Sequence, residues 1–135
     1  MRRVIRTKTA PTPLGPYVQA IDTGNIIFVS GQIGICPDTN IISDSIYCQT
    51  YQSLQNIKNI IEITGLQINN IIKITLFIVN INDLSEINTS YKKFFNTHTN
   101  SSCENTIFPT RSCIEVSKLP KNAKIEIEAT AMRFL

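Results

Sequence analysis

Between Lys124 and Ala131, within an extended run that reaches Phe134, the chain alternates strictly, with Lys124, Glu126, Glu128 and Thr130 at one set of positions and Ile125, Ile127, Ala129 and Ala131 at the other. Side chains point to opposite sides of a strand at every second residue, so this pattern predicts a strand with one apolar and one polar face. The apolar side needs a cover, and two segments have the periodicity to supply it. The first runs from about Ser45 to Thr64, where Tyr47, Tyr51, Leu54, Ile57 and Ile61 recur at three- and four-residue steps and Gly65 follows as a C-cap. The second begins at Asp83, with Glu86 three residues on as a capping box and Leu84, Ile87, Tyr91, Phe94 and Phe95 marking its buried face.

Further strands fill the remaining chain. Ile26 to Gln32 and Ile71 to Val79 are rich in β-branched and aromatic residues. Thr23-Gly24-Asn25 supplies a turn that lets Val18–Asp22 pair with the first of these as a hairpin. Arg111 to Val116 is extended and is separated from the last strand by Leu119-Pro120-Lys121-Asn122. The order strands, helix, strand, helix, strands predicts an α+β domain spanning residues 1–135, a mixed sheet with two helices packed on one face. The other face would carry polar and apolar side chains together, and what covers it is left open. Thr97 to Thr106 is polar and predicts an exposed loop.

Composition narrows the class. At 135 residues and 42% hydrophobic content the chain can build its own core, and no apolar run reaches the length of a membrane span. A net charge of +3 is too small to argue for nucleic acid, and Arg2, Arg3, Arg6 and Lys8 cluster at the N-terminus without interleaved aromatics, as a solvated arm would. Cys36, Cys48, Cys103 and Cys113 form no C-x-x-C pair, and His98 is the single imidazole, which argues against a zinc site. Four reduced thiols in a cytoplasmic protein is the expectation.

Several residues could carry chemistry. Glu126 and Glu128 either line a solvated face or place an acid/base carboxyl in a cleft, and alternation alone does not separate the two. Arg111 opens a strand after Phe108-Pro109-Thr110, where it is either a surface cation or a planar clamp for a carboxylate. Cys113 reads as a small buried thiol, since no histidine is near it in sequence. Ser30, before Gly31, can lend a hydroxyl to a pocket but lacks the G-x-S-x-G setting of an activated nucleophile.

Taken in order, Leu14-Gly15-Pro16-Tyr17, Val29-Ser30-Gly31-Gln32, Gln52-Ser53-Leu54-Gln55-Asn56, Asn88 with Tyr91, Phe94 and Phe95, Phe108 to Val116, Leu119-Pro120 and Ile125 to Ala129 resemble the RidA family (the YjgF-type proteins). The resemblance runs from about Ile5 to Arg133. It implies a chorismate-mutase-like (YjgF-type) fold, a homotrimer whose sheets form a barrel-like core, and active sites in the clefts between subunits. A polar sheet face would then be covered by other copies of the chain. The activity implied is hydrolysis of 2-aminoacrylate and related enamines and imines to 2-keto acids and ammonia, with no metal or organic cofactor.

Carried over by position, Arg111 grips the substrate carboxylate and Glu126 positions water and shuttles protons. Ser30, Tyr17, Gly31 and Cys113 shape the pocket, and Asn88 lines it. Two departures stand out. The segment before Phe108 is longer than is usual in the family by roughly half a dozen residues, within surface-loop tolerance. Gly34-Ile35-Cys36-Pro37 also differs from the commoner form of that turn. The rival readings are a chorismate mutase of related fold and an RNA-binding, translation-inhibiting or regulatory protein of the same fold.

Overall fold

The computed structural model describes residues 2–99 and 106–134. Among them are the strands β1 (Arg3–Ile5), β2 (Ala20–Asp22), β3 (Ile26–Ile33), β4 (Ile71–Ile78), β5 (Thr110–Glu115) and β6 (Ile125–Met132), with helices α1 (Ile46–Glu62) and α2 (Leu84–His98). The strands form one sheet in the order β1-β2-β3-β6-β4-β5. The last strand in sequence is thus central, hydrogen-bonded antiparallel to β3 on one side and β4 on the other.

With β6 inserted between them, β3 and β4 run parallel, and β5 continues parallel to β4. The crossovers β3-α1-β4 and β4-α2-β5 both step the same way across the sheet. Such crossovers are almost always right-handed, so both helices fall on one face. There Ile125, Ile127, Ala129 and Ala131 meet Leu54, Ile57, Ile60 and Ile61 of α1 and Ile87, Phe94 and Phe95 of α2 in one buried cluster. Burying each isoleucine contributes about 1.5–3 kcal/mol. No helix among the described residues is long and apolar enough to cross a membrane.

Local signals explain both ends of α1 and the seating of β3 on it. Ser45 caps α1, its Oγ accepting from the Cys48 N–H at 3.2 Å, and Gly65 stops the helix in the left-handed region at φ +83°. Asn56, inside the Gln52–Asn56 motif, is fully buried and donates to the carbonyls of Ile33 and Ile35 at 3.2 and 2.9 Å. Gly34 lies against the backbone of Gln49, where a methyl group would come within 2.7 Å of its Cα. Both residues seat the end of β3 on α1.

Three expectations need correction. Asp83 has right-handed helical backbone angles and makes no side-chain cap, so the Asp83–Glu86 box does not form. The chain winds into α2 through a 3₁₀ turn at Ile81–Asp83, and the free N–H groups therefore lie one turn earlier. There Asn80 Oδ1 accepts from the Asn82 N–H at 3.0 Å. Secondly, Thr97 and His98 are helical rather than loop, with the His98 ring packed 4.5 Å from that of Phe94; residues 100–105 of the expected loop lie outside the described residues.

Thirdly, the basic N-terminus is not wholly a solvated arm, because Arg3–Ile5 pairs with β2. Arg3 reaches Asp22 at 3.0 Å, and Arg133, from the far end of the chain, reaches the same carboxylate at 2.9 Å. Asp22 is 2% exposed and also accepts from the Gly24 N–H, so it clamps the edge strand, the β2–β3 turn and the C-terminal segment together.

The hydrogen bond from Arg133, reinforced by the Gly24 N–H and by Arg3, outweighs burial and holds the Asp22 carboxyl well below the usual carboxylate range. A depressed folded-state pKa contributes stability above the unfolded value of about 3.9. That contribution is lost as pH falls from there through the folded pKa. Asp22→Asn is expected to cost about 2–3 kcal/mol in urea unfolding at pH 7, since it takes the carboxylate partner from the partly buried Arg133 guanidinium. The gap between variant and wild type should shrink below about pH 4.

Candidate active site

The residues singled out above fall into two groups on opposite faces of the sheet. Residues paired across neighbouring strands point to the same side. Arg111 pairs with Ile74 and Cys113 with Leu76, both fully buried beneath the helices, so Arg111 and Cys113 belong to the helix-side face at the β5 edge. Glu126 pairs with Phe77 and Glu128 with Thr75, which puts both carboxylates on the open face. Within one subunit Arg111 and Glu126 are separated by the sheet itself.

The open-face group is organised by an irregularity in β3. Val29 pairs with Ala129 and Gln32 with Ile127, so Ser30 and Gly31 together oppose the single residue Glu128. This β-bulge re-aims the backbone next to Glu126. A methyl group on Gly31 would overlap the Glu126 carboxyl group, so glycine is what lets that side chain lie across the bulge. The Ser30 hydroxyl donates to the Val18 carbonyl at 2.6 Å, leaving its lone pairs to accept from a water or substrate.

Tyr17 is set by its own motif. Its N–H donates to the Gly15 carbonyl at 2.8 Å, and its hydroxyl accepts from the Leu14 N–H at 3.1 Å, closing Leu14-Gly15-Pro16-Tyr17 on itself. From there Tyr17 lines one hollow with Gly31 and another with Ser30 and Glu128.

Glu126 is only partly accessible. Burial, with the neighbouring negative charge of Glu128 added, holds its carboxyl above the ordinary range. A carboxyl shifted in this direction is better matched to proton exchange near neutral pH than a free one.

The second group surrounds Arg111. Its Nη2 donates to Asn88 Oδ1 at 2.8 Å, and its guanidinium carbon lies 4.9 Å from the centre of the Tyr91 ring. Asn88, Tyr91, Lys92, Phe108, Pro109 and Arg111 line an open groove there. Burial raises the Cys113 thiol, only partly opposed by Arg111, so it is not an activated thiolate. Among the described residues no cluster of three or more His, Cys, Asp or Glu side chains could hold a metal ion. Cys36, Cys48 and Cys113 are free thiols, and Cys103 lies outside the described residues.

The sequence singles out Arg111, Asn88, Glu126, Ser30, Gly31, Tyr17 and Cys113 as site residues; the structure adds the Tyr91 ring, which the sequence marks as buried helix face, and the Phe108 beside it. The signal was available: Asn88 and Tyr91 are three residues apart on one helix, hence on one side of it.

A family model described as Endoribonuclease L-PSP matches residues 7–133. The 2-iminobutanoate/2-iminopropanoate deaminase of Salmonella typhimurium is 44% identical over 133 residues, which cover 98% of this chain and 99% of that protein. The chain belongs to the RidA/YjgF family. Solved structures of RidA/YjgF relatives have the same fold. Escherichia coli TdcF with bound serine superposes at a TM-score of 0.91 with 45% identity, over 98% of this chain and 99% of that one. The YjgF gene product of E. coli gives 0.91 with 44% identity over the same shares. The resemblance read from the ordered motifs therefore holds, as does the α+β architecture it implied.

The cause assigned to the Glu126 shift is open to test. Glu128→Gln removes the nearby charge but leaves the burial, so a carbon-detected NMR titration of the Glu126 carboxyl should find its pKa lower in the variant yet still above about 4.3.

Proposed function

We propose that this RidA/YjgF family member hydrolyses 2-iminobutanoate, 2-iminopropanoate and enamine precursors such as 2-aminoacrylate to 2-keto acids and ammonia. The observation that carries the reading is full-length identity of about 45% to relatives named for that activity, in a chain that keeps both an anion clamp and an up-shifted carboxyl. The family model's description names a different activity, an endoribonuclease. That alternative finds little support here: Arg3 is committed to Asp22, and the single histidine is packed against Phe94 with burial lowering its pKa.

The residue types suit the reaction. Protonation of the enamine at carbon gives an iminium, water adds to form a carbinolamine, and a further proton transfer lets ammonia leave. Each step moves a proton, so Glu126 serves in turn as donor and acceptor, a role worth roughly 10²- to 10⁴-fold. Ser30 accepts a hydrogen bond from the attacking water. Arg111 holds the substrate carboxylate through paired N–H donors, with Asn88, Tyr17, Gly31 and Cys113 shaping the surroundings. Residues 1–135 act as one domain. No cofactor enters these steps, because the substrate carbon is already electrophilic once protonated.

Because Arg111 and Glu126 lie on opposite sides of the sheet, a complete site draws them from two copies, and a homotrimer with active sites between subunits is the assembly we infer. Its cover would fall on surface that one subunit leaves bare. Phe28 on the open face is 53% exposed and Ile114 on β5 is 46% exposed, although large apolar side chains favour burial. A cytoplasmic location suits the free thiols.

The test generates 2-aminoacrylate in situ and follows pyruvate release. Arg111→Ala is expected to lose roughly 10²-fold or more in kcat/KM, the worth of two charge-assisted hydrogen bonds. Glu126→Gln should lower kcat by roughly 10²-fold or more. Refolding the two inactive variants together should restore about one quarter of wild-type activity, since a quarter of randomly mixed interfaces would pair an intact Arg111 with an intact Glu126. No recovery would place both groups within one subunit and defeat the shared-site assignment. Gly31→Ala is expected to push the Glu126 carboxyl aside, lowering kcat by at least about tenfold while the thermal midpoint moves little.

A further inference from the structure

We propose that Tyr91 is a positioning residue for the anion clamp: its ring is the platform that sets the plane of the Arg111 guanidinium. The inference rests on the reading of Arg111 as the carboxylate grip and extends it to a residue with no assigned role.

Arg111 is exposed, and a long exposed side chain held at one point swings freely. Two contacts from α2 restrain it here. Asn88 Oδ1 accepts from Nη2 at the edge of the guanidinium, 2.8 Å away, and the Tyr91 ring stands 4.9 Å from its central carbon. A single hydrogen bond leaves the group free to rotate about that bond, whereas a second contact from an aromatic ring fixes its plane. Of the five N–H donors of an arginine, Asn88 engages one, and four remain for an incoming anion. A carboxylate needs two of these parallel and coplanar, so the plane is what the platform contributes.

The platform is itself rigid. Tyr91 is 5% exposed, with its ring 4.7 Å from Phe95 and 6.2 Å from Phe108. Phe108 also packs edge-on against Phe95 at 5.8 Å. The Phe108-Pro109-Thr110-Arg111 segment is therefore anchored by its phenylalanine to the ring that its arginine rests on. The phenol oxygen is buried and finds no hydrogen-bond partner among the described residues, which assigns the role to the ring rather than the hydroxyl. Burial keeps that phenol neutral.

The experiment compares Tyr91→Leu, Tyr91→Phe and Arg111→Ala with wild type, in turnover of 2-aminoacrylate generated in situ and in calorimetric binding of pyruvate. Tyr91→Leu is expected to raise KM and weaken pyruvate binding by roughly 3- to 30-fold, the range of a lost cation–π contact, with kcat within about twofold. Tyr91→Phe should restore both constants, because it keeps the ring. Should the leucine variant fail to fold, Tyr91→Met fills similar space without a ring and carries the same expectation.

If Tyr91→Leu or Tyr91→Met matches wild type while Arg111→Ala is impaired, the platform falls and the deaminase reading stands. If Tyr91→Phe is as impaired as Tyr91→Leu, the hydroxyl is the acting group and the platform is again overturned. If wild type turns over no imine yet binds pyruvate with this dependence on the ring, the deaminase reading falls and the platform stands.

Discussion

The structure depends on one strand being sandwiched edge to edge while its two faces do different work. β6 takes backbone hydrogen bonds from β3 on one side and β4 on the other, so it cannot shift register without breaking both ladders. Its isoleucines and alanines are sealed beneath α1 and α2. A slip of one residue would bury Glu126 and Glu128 and expose the core, at a cost that nothing nearby could offset. The position of the carboxylates is therefore a by-product of hydrophobic burial on the other side of the same strand.

From that constraint the places of the two groups of candidate residues follow. The bulge at Ser30–Gly31 lies on the strand next to β6 and clears room over the backbone for the Glu126 side chain. Opposite, β5 joins the sheet through a crossover that brings α2 over it, and Asn88 and Tyr91 descend on Arg111 from that helix. The sheet that holds each group in place also keeps them apart within one chain. A catalytic reading that joins a clamp to an acid thereby becomes a reading about association, which is why the bare face of the sheet matters as much as the covered one.

The network at Asp22 does a different job. Four hydrogen bonds to one buried carboxylate, one from Arg3, two from Arg133 and one from the Gly24 N–H, tie the first strand to the last segment. They lie on the β1–β2 side of β3, whereas Arg111 is on β5 at the opposite edge of the sheet. Buried ion pairs of this kind need not add net stability relative to an apolar packing. Here the cluster ties β1, the β2–β3 turn and the C-terminal segment to one another.

Much was legible in the residues alone. The alternation of Lys124–Ala131 identified a two-faced strand, the three- and four-residue steps of Tyr47–Ile61 and Leu84–Phe95 identified its cover, and Gly65 and Ser45 marked helix ends, because each of these signals is local and periodic. The ordered motifs identified the RidA/YjgF family for the same reason: they are short and contiguous. What only the tertiary structure decided was everything that joins distant positions. Pairing of Arg3 with Asp22 and Arg133, the 3₁₀ winding that moved the α2 cap from Asp83 to Asn80, the glycine beneath Glu126 and the ring beneath Arg111 depend on which elements become neighbours in space. The placement of Arg111 on the helix-side face belongs with them: alternation with isoleucine and alanine already set Glu126 opposite the helix cover, whereas β5 carries no apolar stripe to say which way Arg111 turns.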